Sequence, residues 1–309
     1  MEVISLPGYT EREKLEIARK YLVRRQLEEN GLKPEQCEWN EQALRLVVND
    51  YTHEAGVREL ERQIGAVCRG VAARVARGQA EHVTVTPEVV TETLGPVRYI
   101  REKALTTSAP GVVTGLAYTP FGGEILLIEA TRYPGKGNVT LTGQIGEVMK
   151  ESVQAALSLV RSRAASLGVE PKDFGENDIH VHVPAGAVPK DGPSAGIAMF
   201  TALASLFSNR SVRADVAMTG EVTLRGLVLP IGGLKEKSLG AMRAGITTVL
   251  FPKLNEKDLV DIPDEAKEKI KFIPVENVDE VLAHALHKSD VVEPTGKSES
   301  GKPDERTGG

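Results

Sequence analysis

The stretch "DIHVHVPAGAVPKDGPSAGIAMFTALASLF", residues 178–207, decides the fold class. Its first six residues alternate apolar and polar, the period of a half-buried strand. A ten-residue loop, 184–193, follows, and then Ser194 opens "AGIAMFTALASLF" (195–207), which is apolar on every side. That run is too short to span a bilayer and reads as a core helix. A strand, a loop and a buried helix in succession imply an α/β layer structure. The pentapeptide "GPSAG" also satisfies G-x-S-x-G, the signature of the strained serine elbow in α/β-hydrolases. An elbow needs its serine directly after the strand, whereas the alternation here stops at Val183, so the architecture is wrong. A catalytic histidine downstream would have to be His284 or His287. Both fall on the terminal helix, where His284 reads as partly buried and His287 as solvated. His180 and His182 share one face of their strand, and with no Cys or carboxylate at ligand spacing beside them they predict no metal site.

A lysine is the alternative base. Downstream stands "LPIGGLKEKSLGAMRAG" (229–245), in which two glycines release a strand and a helix begins near Lys235. A lysine activates a serine only when neutral, so its pKa must fall from about 10.4 toward neutrality. Burial does this, and the positive end of a helix dipole adds to it. Lys235 and Lys237 lie two residues apart and therefore on nearly opposite sides of the helix. Lys237 shares its face with Gly240, Ala241 and Ala244, small residues that let a neighbouring backbone pack close. Lys235 shares its face with Ser238, Leu239 and Met242. The pattern favours Lys237.

Working outward, "GVVTGLAYT" and "GGEILLIEAT" have hairpin spacing through Pro120–Gly123, and "GNVTLTG" follows. A long amphipathic helix is predicted over 145–167, strands joined by turns in "ADVAMTGEVTLRGLVLPIGG", a helix over 235–244, a strand at "TTVLFP" and a last helix at "VDEVLAHALH". Residues 9–80 are helical in pattern instead. Thr10 with Glu13 has capping-box spacing, Gly31 closes the first helix, and two more helices follow. Leu60, Ile64, Val67 and Val71 lie on one face of the last of these. A short strand "HVTV" then precedes a helix with Thr86 at its cap and Pro87 at its first position. The organisation predicted is a helical unit over 1–95, a linker over 96–110, an α/β unit over 111–288 and a disordered tail over 289–309, which has almost no apolar content.

The 309 residues suffice for two cores, and a net charge of −5 gives no general pull toward nucleic acid or anionic lipid. Only Cys37 and Cys68 are present, which argues against a disulfide framework and for a reducing compartment. The start of the chain turns polar within a few residues and is not a secretory signal. A cytoplasmic protein without membrane contact is the expectation. In the run "REKLEIARKYLVRR" Glu13 and Glu16, with Glu11 just before it, interleave with the bases, and it reads as a solvated helix face rather than a nucleic-acid site.

The segments "PKDGPSAG", "ADVAMTGEVTLRGLVLPIGGLKEK" and "IHVHVP" closely resemble the proteolytic domain of the Lon family of ATP-dependent proteases, with the resemblance running from about Gly111 to about His287. It implies a Ser–Lys dyad of Ser194 and Lys237, the second lysine of "KEK". It implies that Thr219, in "AMTGE", holds the lysine by a hydrogen bond. Asp191 and His182 match positions that line the family's site. The helical unit resembles the small subdomain that follows the nucleotide-binding core of Lon-type AAA+ modules, and "YTHEAGVRELERQI" puts Arg58 at the sensor-2 position.

The resemblance thus implies a Lon-type α/β proteolytic domain preceded by a small, mainly helical AAA+ subdomain. The expected activity is that of a serine endopeptidase acting on unfolded or damaged proteins and assembled as a homo-hexamer. There is no G-x-x-x-x-G-K-[ST] and no Walker B acid, so the sequence reads as a carboxy-terminal fragment. ATP and Mg²⁺ are implied for a full-length relative but no cofactor for this chain, where Arg58 is expected to be a surface or helix-packing residue. Two rival readings are an inactive scaffold and a nucleic-acid module built on residues 1–95.

Overall fold

The structure, a computed structural model, describes residues 8–99, 108–119, 122–184 and 190–287. The predicted tail over 289–309 and most of the predicted linker fall outside these residues. So does part of the hairpin turn at Pro120–Gly123.

The helical unit opens with α1 (Glu11–Ile17). Thr10 Oγ1 accepts the Glu13 N–H and the Glu13 carboxylate accepts the Thr10 N–H, the reciprocal capping box the spacing implied. A π-helical stretch at Ala18–Leu22 leads without a break into α2 (Val23–Glu29), and Gly31 follows with φ 69°. Next come β1 (Cys37–Trp39), α3 (Glu41–Asp50), α4 (Arg58–Ala76), β2 (Val83–Val85) and α5 (Pro87–Leu94). Two expectations need correction. The second helix stops at Asp50 rather than running to Gly56, and Thr86 makes no side-chain cap bond to α5. The strand β1 has no signal in the sequence because three residues cannot display a period; it is fixed by parallel pairing with β2, Cys37 opposite Val83 and Trp39 opposite Val85. Leu60, Ile64, Val67 and Val71 of α4 are buried as the stripe predicted, against Ala18, Leu27, Val47 and Val90. Cys37 and Cys68 are both buried and unpaired by disulfide.

The second unit contains β3 (Val112–Thr119), β4 (Gly122–Pro134), β5 (Val139–Thr142), α6 (Glu147–Ser162), α7 (Asp173–Glu176), β6 (Asn177–His182) and α8 (Gly196–Ser208). It continues with β7 (Val216–Met218), β8 (Glu221–Val222), β9 (Val228–Leu229), α9 (Leu234–Ala244), β10 (Thr248–Pro252), α10 (Asp264–Lys269), β11 (Lys271–Val275) and α11 (Val278–Ala285). Seven strands form one sheet in the order β11-β10-β7-β3-β4-β6-β5, while β8 and β9 make a separate small hairpin. The β3–β4 hairpin is antiparallel with Gly115 opposite Leu126. β5 does not extend that meander: β6 inserts between β4 and β5, antiparallel to the first and parallel to the second. A parallel neighbour requires a helical crossover, and α6 supplies it.

Successive side chains leave a strand on opposite faces, and both faces are covered. Val216 and Met218 of β7 join the core beneath α6, α8 and α11, whereas Ala217 joins the core beneath α9 and α10. This is why α8 is apolar all round: it lies inside a layer with α6 over it. Among the described residues no helix is long and apolar enough to cross a membrane.

Candidate active site

The loop carrying Ser194 returns from residues 185–189, which are outside the described residues, and docks beside the turn before α6. Lys190 donates its N–H to the Gln144 carbonyl at 3.1 Å and accepts the Gly146 N–H at 2.7 Å. The start of α6 has no capping side chain of its own, because Gly146 occupies the N-cap position. Asp191 supplies the missing acceptor from the other segment: its Oδ1 takes the Met149 N–H at 2.9 Å and the Gly192 N–H at 2.9 Å. A carboxylate at a helix N-terminus also meets the positive end of the dipole. Gly146 has to be glycine, since a Cβ there would stand 2.3 Å from the Asp191 carboxylate carbon. Gly192 then turns the chain at φ 127°, a left-handed-side value that favours glycine.

Pro193–Ala195 form a single 3₁₀ turn, and Ser194 in its middle is half-buried. The Ser194 carbonyl accepts the Gly220 N–H at 2.8 Å and the Thr219 hydroxyl at 3.2 Å, while Ile197 donates its N–H to the Gly220 carbonyl at 3.0 Å. The chain after β7 thus clamps the serine from both sides. Close approach is obligatory here, because a Cβ on Gly196 would lie 2.8 Å from the Val222 nitrogen.

Lys237 sits in the first turn of α9, which starts from Gly233 at φ 70°. It is 3% exposed, and its Nζ donates to Thr219 Oγ1 at 3.1 Å. Burial pushes its pKa down from the ordinary lysine value to about 8. Thr219, fully buried, therefore accepts from the lysine and donates to the Ser194 carbonyl. Of the two lysines the sequence left open, Lys237 is the one brought to this cluster, while Lys235 is only half-buried. The small face of α9 does what its composition implied: a Cβ on Gly240 would lie 2.5 Å from the Gly123 carbonyl carbon of β4. Lys237 Nζ and Ser194 Oγ share no direct hydrogen bond; Thr219 stands between their two residues.

The remaining predicted residues lie elsewhere. His182, at the end of β6, is half-buried. Thr142 Oγ1 is 2.7 Å from its Nδ1 and 2.8 Å from His180 Nε2, so one hydroxyl bridges the two rings. No hydrogen bond joins His182 to Ser194, Thr219 or Lys237. Arg58 is the exposed first residue of α4, in the helical unit. His284 is exposed rather than partly buried, and His287 lies 3.2 Å from Ser108 Oγ; neither reaches Ser194. Beside Ser194, the Gly192 amide donates to Asp191 Oδ1 and the Gly196 amide to the Pro193 carbonyl. Sequence reasoning missed the dependence of Asp191 on the α6 terminus. The one available signal was a glycine where a capping residue belongs, forty-odd positions upstream.

Comparison with known families gives two matches. Residues 84–288 match the family model of the Lon protease (S16) C-terminal proteolytic domain, and residues 28–83 match that of the Lon protease AAA+ ATPase lid domain. Among curated proteins, the chain is 62% identical over 286 residues to Lon protease of Methylocella silvestris, covering 93% of this chain and 35% of that protein. It is 56% identical over 291 residues to Lon protease of Paraburkholderia phytofirmans, covering 94% of this chain and 36% of the relative. With Lon protease of Trichlorobacter lovleyi the identity is 54% over 303 residues, covering 98% and 37% respectively. The chain spans little more than a third of the length of these relatives.

Proposed function

The chain belongs to the Lon protease family, and from that premise we propose that it hydrolyses peptide bonds of unfolded polypeptides through Ser194 and Lys237. The observation that carries the reading is the buried Lys237 amine, held by Thr219 against the serine loop with its pKa lowered to about 8. An amine with that pKa is partly neutral near physiological pH and can serve as a general base. Neutral Lys237 takes the proton from Ser194 Oγ, which attacks the scissile carbonyl and forms the tetrahedral adduct. The lysinium returns the proton to the departing amine, leaving the acyl-serine. A water that gives its proton to Lys237 then attacks the ester and frees the acid. Thr219 keeps the amine in place throughout, accepting from it in both protonation states.

ATP and Mg²⁺ belong to the full-length relatives in this reading. In this reading their site lies outside this chain. The sequence has no phosphate-cradling loop, and among the described residues no three His, Cys, Asp or Glu side chains converge as metal ligands. Arg58 is the position that would face a nucleotide held by another subdomain. The chain accordingly cuts substrates that are already unfolded or short, without nucleotide. Hexameric rings of identical subunits and a cytoplasmic setting complete the proposal.

The test is degradation of casein without ATP by wild type, Ser194→Ala, Lys235→Ala and Lys237→Ala, each checked for folding and assembly. Loss in the Ser194 and Lys237 variants alone supports the dyad. The absence of a direct Ser194–Lys237 hydrogen bond favours a second reading, a scaffold whose dyad closes only on assembly. Four equally inactive folded proteins would select it.

A further inference from the structure

The start of β4 lies against the backbone of α9 at the candidate base itself. A Cβ on Gly123 would fall 1.8 Å from the Glu236 carbonyl oxygen and 2.7 Å from the Lys237 nitrogen. From the other side, a Cβ on Gly240 would fall 2.6 Å from the Gly123 oxygen and 2.8 Å from the Glu124 nitrogen. Two glycines therefore interlock, and Arg243, one turn further along α9, donates to the Gly123 carbonyl at 2.5 Å. The peptide that leads into Lys237 has no room to move without moving Gly123.

The next residue, Glu124, is held by the helical unit. Its carboxylate lies 3.0 Å from His53 Nε2, and the His53 ring stacks at a tilt on Tyr99 with centroids 5.4 Å apart. His53 sits in a loop with little freedom. Thr52 Oγ1 donates to the Val48 carbonyl at 2.8 Å, and the buried Lys14 amine donates to the Glu54 carbonyl. Tyr9 donates its N–H to the Ala55 carbonyl at 2.9 Å, and the Glu54 side chain accepts the Leu60 N–H at 2.8 Å as a cap for α4. Burial lowers the Lys14 pKa, the Glu54 charge opposes that shift, and the Arg243 charge of α9 adds to it.

We infer that Gly123–Glu124 is the positioning element of the candidate base: it seats α9 through the interlocked glycines and is itself held by His53, so that the placement of the helical unit sets the geometry of Lys237. The inference rests on the reading of Lys237 as the base. The two contacts differ in strength. The His53–Glu124 pair, with both side chains about two-fifths exposed, contributes little by itself and acts as a bias. The glycine interlock has no slack and transmits that bias.

The test uses the full chain, with cleavage of a short fluorogenic peptide as one readout and NMR titration of the Lys237 ε-methylene as the other. His53→Phe keeps a ring against Tyr99 but removes the donor, and Glu124→Ala removes the acceptor. Each is expected to lower kcat by about twofold to fivefold with KM unchanged, the range open to an exposed pair. The Lys237 midpoint should rise above its value of about 8 as the amine gains solvent. Glu124→Gln, which still accepts from His53, should restore both. Gly240→Ala should lower kcat by at least about fivefold, as overpacking drives α9 from β4. If it fails to fold, the two milder variants carry the test. An unchanged kcat and an unchanged Lys237 midpoint in folded His53→Phe and Glu124→Ala would overturn the inference. Activity that survives Lys237→Ala would overturn the dyad instead, and the titration midpoint would still report whether α9 is seated by this contact.

Discussion

Lys237 shows how burial lowers the pKa of one amine at the expense of stability. Its amine titrates near 8 in the folded chain and near 10.4 when unfolded. Between those values the unfolded chain holds the extra proton, so stability rises with pH across that window. Below about pH 8 both states are protonated and the whole penalty of burying the ammonium is present, about 3 kcal/mol for a shift of this size. Lys237→Met should therefore raise the melting temperature near pH 7 and flatten the dependence of stability on pH between 8 and 10, while abolishing hydrolysis. In the proposed mechanism activity runs with the neutral amine. It should fall as pH drops through about 8, and a limb that stayed near 6.5 would point to a histidine. Thr219 is the second residue at this scale. Thr219→Val removes the acceptor of the Lys237 proton and leaves a buried ammonium or amine unpaired. A loss of at least about tenfold in kcat is expected, with most of it restored in Thr219→Ser.

At the scale of elements, the serine loop and α6 depend on each other. Gly146 cannot cap α6, Asp191 does so from the loop, and the same carboxylate fixes Gly192 just ahead of the Pro193–Ala195 turn. Asp191→Ala removes both bonds. It should cost about 1 kcal/mol of stability, the usual worth of a cap, yet reduce activity by more than that loss implies, because Ser194 is released from the α6 terminus. Denaturant unfolding and peptide cleavage on the same preparation separate the two effects. Gly146→Ala should reproduce the phenotype with Asp191 still present, since its methyl group would displace the Asp191 carboxylate.

For the whole molecule, the apolar core of the helical unit and the two cores flanking the sheet contain different residues and are separate in space. Contacts such as His53–Glu124 are exposed and weak beside them. Calorimetry of the chain should resolve two transitions. Ile64→Ala, which empties a fully buried position in the helical unit, should lower one of them by an amount equivalent to about 2–5 kcal/mol. Leu126→Ala, in the core beneath α8, should lower the other. A single transition displaced equally by both substitutions would mean that the interface between the units is stronger than its ion pairs indicate.

Periodicity and capping chemistry were enough to locate most helices and the longer strands, because a stripe such as Leu60, Ile64, Val67 and Val71 or an alternation such as Ile179, Val181, Val183 is a local property of the chain. They also sufficed to nominate Ser194 and to weigh Lys237 over Lys235, since small residues on one helix face mark where backbone will come close. Three-residue β1, the insertion of β6 between β4 and β5, and the solvent exposure of His284 had no local signal. Each is set by which surface a distant segment covers. The same holds at the site. Asp191 reaches an amide forty-two positions away, Gly123 presses on a peptide more than a hundred positions away, and the lysine's pKa falls through desolvation by residues scattered along the chain. Sequence alone determined which residues are the candidates for the chemistry. Tertiary structure decided their protonation and their partners, because burial and contact at a distance exist only once the chain has folded.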